Sequence, residues 1–431
     1  MGFAQGVSGL NASASNLDVI GNNIANSGTI GFKSGSALFS DIYAGSRVGL
    51  GTQVAGVSQN FTAGAVQTSS RALDVAIVNG DGFFRLASPS GEIAYSRNGQ
   101  FNMNKDGFIV NSAGLRLTGY PVGANGSIAS GSPTALQLPT AAMAPSPTGG
   151  PITVPPGPVG GITAQFNLDS RSVIPTPPAV APPFDSKDST TYHYSNAVTI
   201  FDSLGNSHEL ATFFVKTAAN TWDVYATADG QPLDTGGALV TPPAAGTQIA
   251  TGVTFDTNGI LDPTALAGGK LKFAGLDFGN GASPMTFDMN ISGTTQFGNA
   301  NDVKKLTQDG YTSGALTSYA IGQDGTVTGK YSNEQTSELG QIVLSSFANP
   351  NGLQSKGDNV WSETPASGQP LTGTPGAGTK MGSLSSGALE SSNVDLTAEL
   401  VNLIIAQRTY QANAQTVKTQ DQVMQTLINM R

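Results

Sequence analysis

The two ends of this chain carry the same four-three apolar spacing, and no other feature restricts its fold so tightly. In MGFAQGVSGLNASASNLDVIGNNIANSGTIGFKSG the apolar positions fall at Phe3, Val7, Leu10, Ala14, Leu17 and Ile24, with a gap at Gly21. That is an a/d seam of about three heptads. In SSNVDLTAELVNLIIAQRTYQANAQTVKTQDQVMQTLINMR the same spacing runs through Leu396, Leu400, Leu403, Gln407, Tyr410, Ala414, Val417, Asp421, Met424 and Ile428. Ser392 or Asn393 is placed to cap this second helix, and Asp395 and Glu399 fall in its first turns, where acidic side chains favour the helix dipole. The first helix, about 38 Å long at 1.5 Å per residue, holds glycine at 2, 6, 9 and 21 and is marginal alone.

The two termini are therefore predicted to pair as a coiled coil. A second strip on the C-terminal helix, Val401, Ile404, Val423 and Leu427, makes its apolar face wider than one short partner covers. Polar Gln407 and Asp421 weaken a self-contained hairpin, which is the alternative reading, and leave more of the seam to neighbouring chains. The seam residues Phe3, Val7, Leu10, Leu17, Ile24, Leu396, Leu400, Leu403, Tyr410, Val417, Met424 and Ile428 are accordingly expected to act in assembly. Directly after the first helix comes NNIANSGTIGFK. Its Asn26, Gly28 and Gly31, with Gly35 just beyond, mark a hinge where the chain leaves the helix and turns away.

Between the ends the composition changes. The 55 Gly and 24 Pro in 431 residues point to many turns, and extensive helix is not expected in the middle of the chain. Charged residues make up 11 %, the net charge is −9 and no Lys/Arg run occurs, so neither nucleic acid nor an anionic membrane is an attractive partner. There is no cysteine, which excludes disulfides and thiolate chemistry. No run of 18 apolar residues and no basic-then-apolar leader is present, so neither membrane insertion nor a cleaved signal peptide is expected.

The fold class expected is α+β, mainly β: paired terminal helices and two nested β domains of barrel or sandwich type, joined by extended segments. Residues 1–30 and 387–431 form the helical domain, 31–70 and 373–386 an extended connector, 71–145 and 295–372 a first β domain, and 146–294 an inserted outer β domain. Hairpin signals support this reading at Asn79-Gly80-Asp81-Gly82, Asn98-Gly99, Asp106-Gly107, Leu204-Gly205-Asn206 and Asn258-Gly259. Proline-rich stretches over 144–190 flank one plausible strand, ITAQFNLDS, and mark the excursion to the inserted domain. Trp222 and Trp361 are expected in β cores.

Little in the sequence points to catalysis. Gly49, Gly51 and Gly56 lack the Lys-Ser and the helix of a phosphate loop. His193 and His208 stand apart without carboxylates at metal spacing, and Asp81 and Asp106 read as turn residues rather than calcium ligands. No catalytic, cofactor or metal site is expected. Arg408 and Tyr410 read as a helical face that could also line a pore or interface.

The pieces SGLNASASNLDVIGNNIANSGTIGFKSG, LDVAIVNGDGFF, YSRNGQF, LTGYP, YSNEQTSELGQIVLSSFANPNGL and ALESSNVDLTAELVNLIIAQRTYQANAQTVKTQDQVMQTL together resemble the bacterial flagellar rod and hook family. The likeness covers both ends and most of the first β domain. Because the distal rod member is much shorter and has no such insertion, the length resembles that of the hook member. A distal rod or hook-associated axial protein is the alternative, and a secreted carbohydrate-binding adhesin a more remote one. The resemblance implies a flexible helical tube of many copies outside the cell, a universal joint between rod and filament. Its terminal helices would surround an export channel and its β domains stack outward. Implied partners are other copies, the distal rod protein, the hook-filament junction protein, a hook cap and the flagellar type III export apparatus.

Overall fold

The computed structural model describes residues 2–42, 49–123, 126–129, 131–150, 160–174, 184–240, 247–376 and 380–430. Helix α1 (Gly2–Ala25) opens the chain and α2 (Leu396–Asn429) closes it, with short strands between. The chain divides into two compact units, one of residues 1–140, 318–329 and 336–431, the other of 141–317 and 330–335. The sequence returned the chain to the first β domain at 295. The structure keeps 295–317 in the second unit, because strands Thr295–Phe297 and Asp302–Gln308 both pair with Gly161–Asp169. Composition could not show this, since the returning strands have the same short, alternating style on either side of the boundary.

In the first unit, 31–70 is more than an extended connector. Strands β1 (Gly35–Asp41) and β2 (Thr52–Gln59) form an antiparallel ribbon that packs on α1. Outgoing and returning chain then run side by side: β3 (Val66–Thr68) pairs with Ala388–Glu390, and β4 (Val75–Val78) with Ser383–Ser386. These pairings explain why two expected hairpins do not form. Asn79 (φ +57°) and Gly82 (φ +132°) do take left-handed turns, but β4 is claimed by the returning chain, while β5 (Phe83–Ala87) pairs with β6 (Ile93–Ser96). Asn98-Gly99 likewise links strands with other partners, whereas Asp106-Gly107 closes Asn102–Met103 onto Ile109–Val110. A cluster of edge-to-face aromatics, Phe61, Phe83, Tyr95, Phe347 and Trp361, fills part of this unit's core.

The second unit packs two five-stranded sheets around one core. Trp222, Phe166, Phe214, Phe273 and Phe287 are buried there, and the Trp222 indole donates to Gln296 Oε1 at 2.8 Å. Gly161–Asp169 is the strand read from ITAQFNLDS, while the proline-rich stretches around it lie largely outside the described residues. The turns at Gly205 and Gly259 have φ of +86° and +76° and close the antiparallel pairings expected of them.

Asp202, fully buried, organises the Gly205 turn. Burial alone would raise its carboxyl, but hydrogen bonds from Asn206, Asn280 and His208 outweigh this and hold it far below the ordinary carboxylate range. A depressed folded-state value gives stability that is present above about pH 4 and lost as pH falls through it. Asp202→Asn is therefore expected to weaken the second unit at pH 7 by about 1–3 kcal/mol. The difference from the native chain should narrow below about pH 4, as read by hydrogen exchange along Ser207–Ala218.

Candidate functional site

The terminal helices run antiparallel, with Gly6 opposite Val417, Ser13 opposite Asn413 and Asn23 opposite Glu399. A Cβ at Gly6 would lie 2.8 Å from Val417 Cγ2, and one at Gly9 would lie 2.8 Å from Asn413 Nδ2. Ala12, Ser13, Ile20 and Asn23 on α1 are buried, as is Ala406 on α2. The seam that closes inside one chain is therefore made mostly of small and polar residues, which let the two backbones approach closely, with Ile20 and Val417 as its large apolar members. On α1 it lies about one position before the heptad read from the large apolar residues, because that reading followed side-chain size; on α2 it keeps Val417 of that heptad and adds Ala406 and Asn413.

Most of the expected assembly residues fall on or beside the outer face, whereas Val417 stands in the seam opposite Gly6. On α1, Phe3 is exposed, while Val7, Leu10, Leu17 and Ile24 are half-buried at the flanks of the seam. On α2, Leu403 and Val417 are half-buried, whereas Leu396, Leu400, Tyr410, Met424 and Ile428 are exposed. Val401, Ile404 and Ile405 each expose half of their surface or more. These side chains form an apolar ridge along α2 that the chain's own short helix leaves uncovered. Below it, a groove of about 580 Å³ between α1, α2 and β1 is lined by Gly9, Ala12, Ala37, Phe39, Ile405 and Ala406 among others.

The cap of α2 is Asp395, whose Oδ1 accepts from the backbone N–H groups of Thr397 and Ala398. Asn393, one of the two expected caps, is used elsewhere: its Oδ1 accepts from Ser34 N and its Nδ2 donates to Asn60 O. It ties the start of α2 to the exit from α1.

That exit is built by three of the four expected hinge residues. The Asn26 side chain donates back to Asn22 O at 2.9 Å, holding the last helical turn. Gly31, at φ +71°, donates its N–H to Glu390 O at 2.8 Å. Gly35 opens β1, and its N–H meets Asn23 Oδ1 at 2.9 Å. Gly28 differs, since a Cβ there would meet nothing within 4 Å.

Sequence reasoning missed a buried ionic cluster at this corner. Lys33 Nζ lies 2.6 Å from Glu390 Oε1, Arg97 Nη1 lies 3.3 Å from Glu390 Oε2, and all three side chains are at most 2 % exposed. Burial pushes the Lys33 ammonium below its ordinary value, and the Glu390 pairing only partly offsets this. The signal available was three charges, Lys33, Arg97 and Glu390, standing singly in otherwise uncharged, turn-rich stretches.

A β-rich chain whose terminal helices meet through small residues and carry their bulky apolar ridge outward belongs to the class of subunits made for self-assembly. Four families match along the sequence: one described as a flagella basal body rod protein over residues 5–33, the flagellar hook protein FlgE/F/G D1 domain over 77–170, the flagellar basal body protein FlaE D2 domain over 167–311, and the flagellar basal body rod FlgEFG protein C-terminal region over 385–430. The chain is 48 % identical over 434 residues to the flagellar hook protein FlgE of Escherichia coli (strain K12), covering all of both chains. It is 32 % identical to the flagellar hook protein FlgE of Borreliella burgdorferi, covering 99 % of this chain and 98 % of the other. A crystal structure of Helicobacter pylori flagellar hook protein FlgE2 shows 13 % identity and a TM-score of 0.49, covering 74 % of this chain and 98 % of that one. The chain belongs to the flagellar hook protein family and is a structural subunit of the flagellar hook.

Proposed function

We propose that the subunit polymerises into a flexible tube that works as a universal joint, carrying torque from rod to filament around a central export channel. The observation that supports this most is the division of labour on the terminal helices: mostly small and polar residues close the pair within one chain, and the bulky ridge of α2 faces outward. An interface between identical subunits that does not close on itself generates an open helical tube. Bending during rotation then needs contacts that switch between alternative packings at small energetic cost, and a weakly charged, glycine-rich surface suits that.

The full-length correspondence with chains named as hook proteins favours this reading over a distal rod or hook-associated protein, and nothing among the described residues favours an adhesin. The partners that go with the role are the distal rod protein at the base, the junction protein and cap at the tip, and the flagellar type III apparatus for export to an extracellular position. The role is structural and needs no catalytic site. Cells deleted for this gene are expected to carry basal bodies without hooks under the electron microscope, with hooks restored by the native chain. Hooks of normal length in the deletion strain would overturn the proposal.

A further inference from the structure

The buried cluster at the exit from α1 is unbalanced in charge: two cations, Lys33 and Arg97, share one anion, Glu390. The three come from far apart in the chain, and only Glu390 lies on the C-terminal side of the β units. Their neighbours are not equally dependent on them. Lys33 Nζ also donates to Thr62 O at 2.7 Å, but that carbonyl has a second donor in Asn393 Nδ2 at 3.2 Å. Glu390 Oε1 also accepts from Gly64 N at 2.9 Å. Removing Lys33 therefore leaves Thr62 O and Glu390 with other partners. Removing Glu390 leaves Lys33 on the neutral Thr62 carbonyl and Arg97 over the Phe83 ring, takes the acceptor from Gly64 N, and deprives two buried cations of their shared anion, which is far costlier than a lost pair.

We infer that Glu390 is a completion latch: the turn over residues 30–34 and the strand-entry segment 60–64 lock only when the C-terminal segment has delivered this carboxylate between two buried cations. The latch acts on the same corner that aims the chain away from α1, because Gly31 N is held by the backbone carbonyl of Glu390 and Asn359 Nδ2 by that of Ile30. An N-terminal portion without residue 390 brings two like charges into this corner without their anion and stays open. The chain thus couples the direction in which its first helix is left to the arrival of its last segment.

The test compares hydrogen exchange of the full-length chain in the native form, Glu390→Gln, Lys33→Met and the double variant. Gln keeps the shape and the acceptor for Gly64 but removes the charge. Glu390→Gln should speed exchange of the amides at 31–34 and 60–64 at least tenfold, with Ser207–Ala218 unchanged. Lys33→Met should exchange like the native chain, and adding it to Glu390→Gln should restore part of the protection, since one bare cation is left instead of two. If Glu390→Gln fails to fold, recovery of a folded chain in the double variant supports the latch, and failure to recover overturns it. Equal damage from Lys33→Met and Glu390→Gln, or native protection in Glu390→Gln, also overturns it.

Discussion

Replacing Leu400 and Ile404 together by glutamate is expected to abolish polymerisation while leaving the single chain folded. Both side chains stand on the exposed ridge of α2, away from the Gly6, Gly9, Ser13 and Asn23 contacts that close the helix pair. Within one chain the two new carboxylates repel each other at i,i+4 spacing by about 0.2–0.5 kcal/mol, and the one at position 404 stands one turn before Arg408, an attractive spacing of similar size that offsets it. Between chains they remove two half-exposed side chains whose burial supplies about 1–2 kcal/mol each, and place ionised carboxylates where apolar surface must meet apolar surface. A loss of about 3 kcal/mol per contact raises the concentration needed for assembly roughly a hundredfold. Sedimentation and electron microscopy of assembling subunits should then show no tubes, while circular dichroism of the dilute chain keeps its helical signal. Tubes forming at the native concentration would show that the ridge lies outside the subunit contacts. Substituting Gly9 by leucine is the informative contrast, because it attacks the intramolecular seam: a side chain there collides with Asn413, so the helix pair itself should loosen.

The sequence carried the periodicity of both helices, their pairing and the mainly β middle, because these depend on spacing alone. It did not carry which stripe faces inward. Gly6, Gly9, Ala12 and Ala406 contribute almost no hydrophobicity, yet they form the closest contact, since close backbone approach needs absent side chains more than large ones. The reading that chose Leu396, Leu400 and Met424 for the seam found the surface that remains exposed. Hairpins were legible where both flanking strands were free to pair with each other, as at Gly107 and Gly205. They were misread at Gly80, where the distant strand Ser383–Ser386 takes β4, and at Gly99, where β6 pairs with β5 and Val360–Ser362 while Asn102–Met103 pairs with Ile109–Val110. The Lys33, Arg97 and Glu390 cluster had no periodic signature at all: only the fold brings residues 33, 97 and 390 together.

The exit glycines give the sharpest separation between what a pattern marks and what geometry requires. Gly28 and Gly31 looked alike as helix breakers, but only Gly31 takes a left-handed conformation, at φ +71°. A Cβ on Gly31 would sit 2.7 Å from Asn98 N, 2.8 Å from Asn98 Cα and 2.9 Å from Arg97 C, all backbone atoms that cannot rotate away. The left-handed conformation costs a residue with a Cβ about 1–2 kcal/mol. The collision adds about 1–3 kcal/mol, since relief means shifting the segment that carries Arg97. Gly31→Ala is therefore expected to destabilise the first unit by about 2–5 kcal/mol, lowering its thermal midpoint on the order of 10 °C. Gly28→Ala meets nothing within 4 Å. It should be neutral or stabilise by about 0.4–1 kcal/mol through a less flexible unfolded chain. Thermal unfolding of the two variants side by side decides the matter, because equal midpoints would mean that the turn at Gly31 yields freely and that the exit from α1 is not fixed by this close approach.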